Sequence, residues 1–368
     1  MAIRFTMPEN AEEHVAFAYS PVLEAVLSLH VIVEPKHHPL QHPFVRAMRR
    51  LSPALRREIA AFRYAYRAYF PEFLFPSTTG GFATFEAELE RLLAVPDELI
   101  THEFTRQFLG EAVPRGAEVM RRPEVIRAVR RAAALDGPRT AELVDLALED
   151  PANLRSRFVR LIDDYWNEAF GSEWERIEPV LAGTVAAYGQ LIASRGFFSL
   201  LEPLWPEVRL DRPARTFSLQ RPHDHDVAVA GYLLLVPSEF VWPHVRVNCD
   251  EPWPLALVHP SSSIAHAARP VMGPDDVLRV LRVLGDDTRM RALRLIAERP
   301  RSTQELAPLV GISEAALSKH LRMLAEAGVL AAKRQGYYVL YSLEPDRIEG
   351  LTSSLLQYLG GDRAHGGA

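Results

Sequence analysis

Ser313-Glu-Ala-Ala-Leu-Ser-Lys-His-Leu-Arg-Met-Leu-Ala-Glu-Ala327 is the segment from which the rest of this 368-residue chain is best understood. Wound as a helix, it places Leu317, Leu321 and Leu324 on one face at i, i+4 and i+7, and Ala315, Ala316, Ser318, Lys319 and Arg322 on the other. One face is built to be buried and the other to meet a partner, which is the pattern of a recognition helix.

The flanking residues agree. Ser302 with Glu305 three positions on makes a capping-box start, and Leu306, Leu309 and Val310 give the short helix that follows an apolar stripe. Gly311-Ile-Ser313 is a tight turn in which Gly311 can take positive φ and Ser313 can cap the next helix. After Gly328 stops that helix, Val329 to Arg334 and Tyr338 to Leu343 read as two strands joined at Gln335-Gly-Tyr337, with Lys333 and Arg334 near the tip. Upstream, Asp286 or Asp287 caps a helix whose apolar face repeats at Leu293, Ile296 and Ala297. Helix, helix, turn, helix, hairpin is the order of a winged helix-turn-helix.

Leu281-Arg-Val-Leu-Gly-Asp-Asp-Thr-Arg-Met-Arg-Ala-Leu-Arg-Leu-Ile296, followed by Leu317-Ser-Lys-His-Leu-Arg-Met-Leu324, Ala327-Gly-Val-Leu330 and Gly336-Tyr-Tyr-Val-Leu-Tyr341, resembles the ArsR-type winged-helix transcription regulators. The resemblance covers about a quarter of the chain. It implies binding to double-stranded DNA as a homodimer that represses and lets go when an effector binds. It also makes the His320 position a frequent DNA contact. Leu235-Val-Pro-Ser-Glu-Phe-Val-Trp-Pro243 resembles part of an N-terminal domain carried by some long regulators of high-GC bacteria, and that second resemblance implies no ligand.

The net charge of −5 argues against a polybasic nucleic-acid binder. From Gly273 onward Lys and Arg number 13 against 12 Asp and Glu, leaving 29 against 35 for the rest. Specific positions on a nearly neutral module must therefore carry DNA contact, since a bulk field will not. The first residues carry no signal-peptide pattern, and no apolar run approaches the ~18 residues of a membrane span, so a cytoplasmic protein is expected.

The segment from about Pro8 to Trp205 reads as helical, with amphipathic runs at 15–33, 55–69, 84–94, 99–109, 124–134, 140–148, 154–170 and 174–193, and prolines near their ends. Thr216 to Leu219, Val229 to Val236, Glu239 to Val247 and Leu255 to His259 then read as strands. The expected fold class is mainly α with small antiparallel β (α+β). Residues 1–265 form an α-rich domain closed by a small antiparallel sheet, 266–274 a linker, 275–360 the winged helix, and 361–368 a flexible tail.

Metal sensing is the first property to test, because many members of the resembling family detect metal or arsenic ions. The arsenic-type site needs thiolates where Arg301-Ser-Thr-Gln-Glu-Leu306 stands, and the zinc-type site needs histidine where Asp346 to Leu359 has none. Cys249 is the single cysteine. His223-Asp-His-Asp226 and the group His37, His38 and His42 read as polar and proline-rich loops, so neither a metal nor a cofactor is expected. Gly-x-Ser-x-Gly, phosphate-binding glycine loops and His-Glu-x-x-His are all missing, and Asp163-Asp164, Glu149-Asp150 and Asp250-Glu251 are neighbours rather than opposed carboxylates, so no enzyme is indicated.

Aromatic residues crowd Phe62 to Phe75, and Trp166, Phe170 and Trp174 repeat at i, i+4 and i+8. As a functional reading, Arg63, Tyr66, Arg67, Phe70, Trp166, Phe170 and Trp174 would bind a small organic effector; as a structural one, they are core. The DNA-binding set is Ser313, Ala315, Ala316, Ser318, Lys319, His320 and Arg322 on the helix, with Lys333, Arg334, Gln335 and Tyr337 on the wing. Together these readings describe a homodimeric, sequence-specific repressor released by a small molecule rather than a metal ion. The alternative is an enzyme or protein-interaction domain fused to a DNA reader.

Overall fold

The computed structural model describes residues 2–67, 70–76, 82–109, 121–204, 208–220, 224–267, 272–335, 338–344, 347–348, 350–351 and 354–355. The chain divides into two compact units, Met1–Ala265 and His266–Ala368.

In the first unit the helix Pro21–Val33 is buried on every side. Ser20 caps it by accepting from the Leu23 amide at 2.9 Å, with Pro21 in the first turn where its missing N–H costs nothing. Such a helix must satisfy its own polar side chains internally. The Ser20 hydroxyl and the Val22 amide donate to the Glu88 carboxylate, and the Ser28 and Tyr165 hydroxyls lie 2.8 Å apart. Glu24 accepts from the Glu239 amide at 3.1 Å. The expected run 15–33 is therefore a strand, Val15–Phe17, a break, and a helix without a polar face.

Around it stand Pro53–Ala61, Arg63–Arg67, Phe85–Leu93, Asp97–Thr105, Pro123–Asp136, Pro138–Glu149 and Pro151–Tyr165. A π-helical turn, Trp166–Phe170, joins the last of these to the long helix Gly171–Arg195. Prolines 53, 123, 138 and 151 each open a helix rather than break one.

The single antiparallel sheet expected at the end of this unit is instead two four-stranded mixed sheets, both using residues from the start of the chain. In one, Ala2–Thr6 lies antiparallel to Thr216–Gln220 and parallel to His225–Ala228, with Phe5 stacked on Phe217. In the other, Leu233–Ser238 lies between Val15–Phe17 and Ala256–Pro260, parallel to both, and Arg246–Asn248 adds an antiparallel edge. Leu233–Ser238 is buried on both faces: Leu233 and Leu235 join a core with Phe5, Phe197 and Phe217, while Leu234 and Val236 join the helical core. Glu239 to Val245 is not a strand, because the Ser238 hydroxyl oxygen accepts from the Phe240 and Val241 amides and turns the chain.

The second unit runs Pro274–Leu284, Asp287–Glu298, Arg301–Ser302, Thr303–Val310, Glu314–Glu326, Leu330–Gln335 and Tyr338–Leu343. The last two pair as a hairpin that extends to Arg301–Ser302, giving a winged helix-turn-helix. The Ser302–Glu305 capping box is complete, and Gly311 takes φ 82° at the turn. Helix Pro274–Leu284 is an element the sequence reading did not separate. Of the expected linker 266–274, residues 266–267 end the helix Ser262–Ala267 and Pro274 opens the next helix, while 268–271 lie outside the described residues, as do 361–368.

Burial raises the Glu24 carboxyl to about 8 from its ordinary 4.5. The unfolded chain would release this proton near 4.5 and the folded chain would hold it to about 8, so its contribution to stability falls as pH rises through that window. Glu24→Gln removes that loss. Denaturant melts of the variant should show a flatter decline in stability from about pH 5 to pH 8 than the parent, with the gap widening toward pH 8.

Candidate nucleic-acid interface

The recognition helix is held by its apolar stripe. Leu317, Leu321 and Leu324 are wholly buried in a core with Val280, Leu293, Ile296, Leu306 and Val329. Each contributes about 1.5–3 kcal/mol of burial, and together they fix which face points outward. Ser313 starts the helix, its hydroxyl accepting from the Ala316 amide at 3.3 Å.

On the outward side Ser313, Ala315, Ala316, Lys319 and Arg322 are exposed and Ser318 is half-buried. The exposed alanines leave the helix backbone uncovered beside the two cations. Glu314 is also exposed in the first turn, where its charge suits the helix N-terminus. His320 is placed differently. It is half-buried, with Nδ1 3.8 Å from Asp286 of the same unit, so it faces its own domain. On the wing Lys333, Arg334 and Gln335 are exposed, Lys333 and Gln335 alternating against Arg334; Tyr337 lies outside the described residues.

Arg289 was not singled out by sequence. It is buried, donates through Nε to the Val283 carbonyl and through Nη2 to the Arg282 carbonyl at 3.1 Å, and lies 3.8 Å from the Met323 sulfur on the recognition helix. These are carbonyls at the end of helix Pro274–Leu284, which have no partner within the helix itself. One side chain thus ties three helices together. Its own amide caps on Asp286, whose carboxyl is held below the usual range first by that N–H and further by the Arg289 and His320 charges. A buried guanidinium opening Asp286-Asp-Thr-Arg289 has no signal in hydrophobic periodicity.

The residues expected to bind an organic effector pack as core and as ion pairs. Tyr66 is buried and donates to the Ile59 carbonyl, and Arg246 lies 3.8 Å over the Phe70 ring. Arg63 pairs with Glu34, and Arg67 lies 3.5 Å from Asp136. Trp166 stacks on Phe85 with ring centroids 3.9 Å apart, and its ring lies 5.9 Å from Phe170 and 6.1 Å from Trp174. Of the 223–226 group read as a loop, His225 and Asp226 belong instead to strand His225–Ala228, Asp224 accepts from the Ala2 amide at 2.8 Å and Asp226 meets Arg4 at 3.5 Å, while His223 lies outside the described residues. Among the described residues no helix is long and apolar enough to cross a membrane.

The family described as "Family of unknown function (DUF5937)" matches residues 1–265, and that described as "Bacterial regulatory protein, arsR family" matches residues 286–331. The probable mercury resistance operon repressor of Streptomyces lividans is 34% identical over 104 residues, 28% of this chain and 82% of that protein. The HTH-type transcriptional regulator KmtR of Mycobacterium tuberculosis is 37% identical over 82 residues, 21% of this chain and 63% of that one. Among solved structures, Mycobacterium tuberculosis Rv0081 is 34% identical and covers 25% of this chain and 99% of its own, with a TM-score of 0.20.

Arg289→Met keeps the bulk and removes the donors. Leaving the Arg282 and Val283 carbonyls unpaired should cost the second unit about 1–3 kcal/mol, read as an earlier unfolding transition by circular dichroism in denaturant. An unchanged transition would mean that these bonds do not hold the helices.

Proposed function

Because the chain belongs to the family of unknown function matched over residues 1–265 and carries an ArsR-family helix-turn-helix at 286–331, we propose that it is a homodimeric, sequence-specific repressor released by a small-molecule effector. The observation that carries this reading is the two-faced recognition helix: Leu317, Leu321 and Leu324 buried, Lys319 and Arg322 exposed, and the basic wing residues Lys333 and Arg334 following.

In this reading Ser318, Lys319 and Arg322 donate to base edges and phosphates of double-stranded DNA, with Ser313, Ala315 and Ala316 at the point of closest approach. Lys333, Arg334, Gln335 and Tyr337 meet the backbone or minor groove and set register. His320, half-buried beside Asp286, reaches the DNA from the inner edge of the recognition helix. Two copies are needed to place two recognition helices about 34 Å apart, one turn of DNA. Leu278 and Leu281 favour such pairing, being 47% and 38% exposed on the outer side of helix Pro274–Leu284.

The effector belongs to the first unit. The Streptomyces lividans relative is named for mercury, yet Cys249 is this chain's single cysteine and lies outside the winged helix, so a thiolate sensor cannot be built there. Arg63, Tyr66, Arg67, Phe70, Trp166, Phe170 and Trp174 would then act by shaping the core that an effector perturbs. An effector shifts DNA affinity only by its differential binding to the two states of the dimer.

Lys319→Ala with Arg322→Ala should abolish specific binding to a near-palindromic fragment, each side chain carrying about 1–3 kcal/mol, with circular dichroism unchanged. Fluorescence anisotropy across a salt series checks this, and full affinity in the double variant would overturn the assigned helix. Leu278→Glu with Leu281→Glu should shift sedimentation from dimer to monomer; a dimer that persists would move the interface elsewhere.

A further inference from the structure

His30, His38 and His244 converge in the first unit, one ring nitrogen from each lying within 4.8 Å of the other two. The His30 and His38 rings meet edge to face at 4.9 Å between centroids, and His244 lies 5.7 Å from His38 and 6.0 Å from His30. His30 sits in the last turn of helix Pro21–Val33, and His38 follows the 3₁₀ turn Pro35–His37. His244 occupies the turn between strands Leu233–Ser238 and Arg246–Asn248. Sequence grouped His38 with its neighbours His37 and His42, neither of which joins the cluster.

Hydrogen bonds fix the tautomers of two rings. Nδ1 of His30 lies 2.6 Å from the Tyr66 carbonyl, and Nδ1 of His38 lies 2.6 Å from the Trp242 carbonyl. A carbonyl oxygen only accepts, so in each ring Nδ1 carries the proton and Nε2 of the neutral imidazole keeps its lone pair. Both Nε2 atoms are buried and without a hydrogen-bond partner among the described residues. A bare buried acceptor is costly, and two in one place ask for an occupant. Nδ1–H on a carbonyl with Nε2 turned to the site is how proteins orient metal-bound imidazoles.

We propose that His30, His38 and His244 form a binding site for a divalent transition-metal ion of the imidazole-preferring class, zinc, cobalt, nickel or copper. His38 is wholly buried and His30 nearly so, whereas His244 is partly exposed and leaves a side through which an ion can enter. Tetrahedral donors at zinc–nitrogen distances of about 2.0–2.1 Å stand roughly 3.4 Å apart, so the nitrogens must draw together. His244, the least buried of the three, supplies that movement. The charged neighbours are Arg246, stacked on Phe70, and Glu34, paired with Arg63 and near Arg67. Arg246 opposes a bare dication and therefore favours an anionic fourth ligand, such as hydroxide or a carboxylate, over a neutral one. This site stands or falls without reference to DNA binding.

The test uses the full-length protein, freed of metal by a chelator, then titrated with Zn²⁺ against a chromogenic competitor and with Co²⁺ followed by visible absorption. The wild type should take up a single ion per chain, and Co²⁺ should show d–d bands without thiolate charge transfer. His244→Ala should weaken binding by at least roughly 10–100-fold, and His37→Ala should leave it unchanged. Both variants should keep the circular dichroism spectrum of the metal-free parent. No uptake by the wild type, equal affinity in His244→Ala, or loss in His37→Ala with His244→Ala intact would each overturn the site.

Discussion

The first unit depends on one helix that has no face toward water. From Pro21 to Val31 every residue of helix Pro21–Val33 is buried, including Glu24, Ser28 and His30. Each of those polar groups would cost more than an ordinary contact returns if left alone, so each dictates a neighbour. Ser20 and Val22 require Glu88, Ser28 requires Tyr165, Glu24 requires the Glu239 amide, and His30 requires the Tyr66 carbonyl. The helices and the second sheet are thereby placed around a common axis by hydrogen bonds as much as by apolar packing.

The winged helix solves a smaller problem with different means. Its recognition helix has one apolar stripe and needs only one side covered, so the outer side stays available for DNA. What it cannot get from the stripe alone is a fixed angle. Arg289 supplies that by holding the end of one helix and the side of another from within the core. His320 lies half-buried beside Asp286 at the same polar seam.

The same demand for polar satisfaction leads to the histidine cluster. His30 and His38 spend one ring nitrogen each on a backbone carbonyl, and the bond from His38 reaches across 204 positions to Trp242 and brings the turn carrying His244 against them. Among the described residues their two Nε2 atoms stay without a hydrogen-bond partner. A unit that buries so much polar chemistry can be coupled to whatever answers them, because occupancy would act on the helix that the other elements surround.

By itself the sequence determined what is settled within a turn or two of chain. The capping box at Ser302, the cap at Ser313, the left-handed Gly311, the proline starts of helices and the leucine stripe of Glu314–Glu326 were all legible, since their partners lie three or four residues away. Tertiary structure alone decided the rest. Ala2–Thr6 and Val15–Phe17 became strands because Thr216–Gln220 and Leu233–Ser238 offered them edges, and no local pattern announces a partner so distant. Glu239 to Val245 failed as a strand because Ser238 turned the chain first. Tyr66, Phe70, Phe170 and Trp174 joined one core, and three histidines from separate segments came together. Periodicity reports which side of an element is apolar; which distant group satisfies a buried polar atom is decided only when the chain has closed on itself.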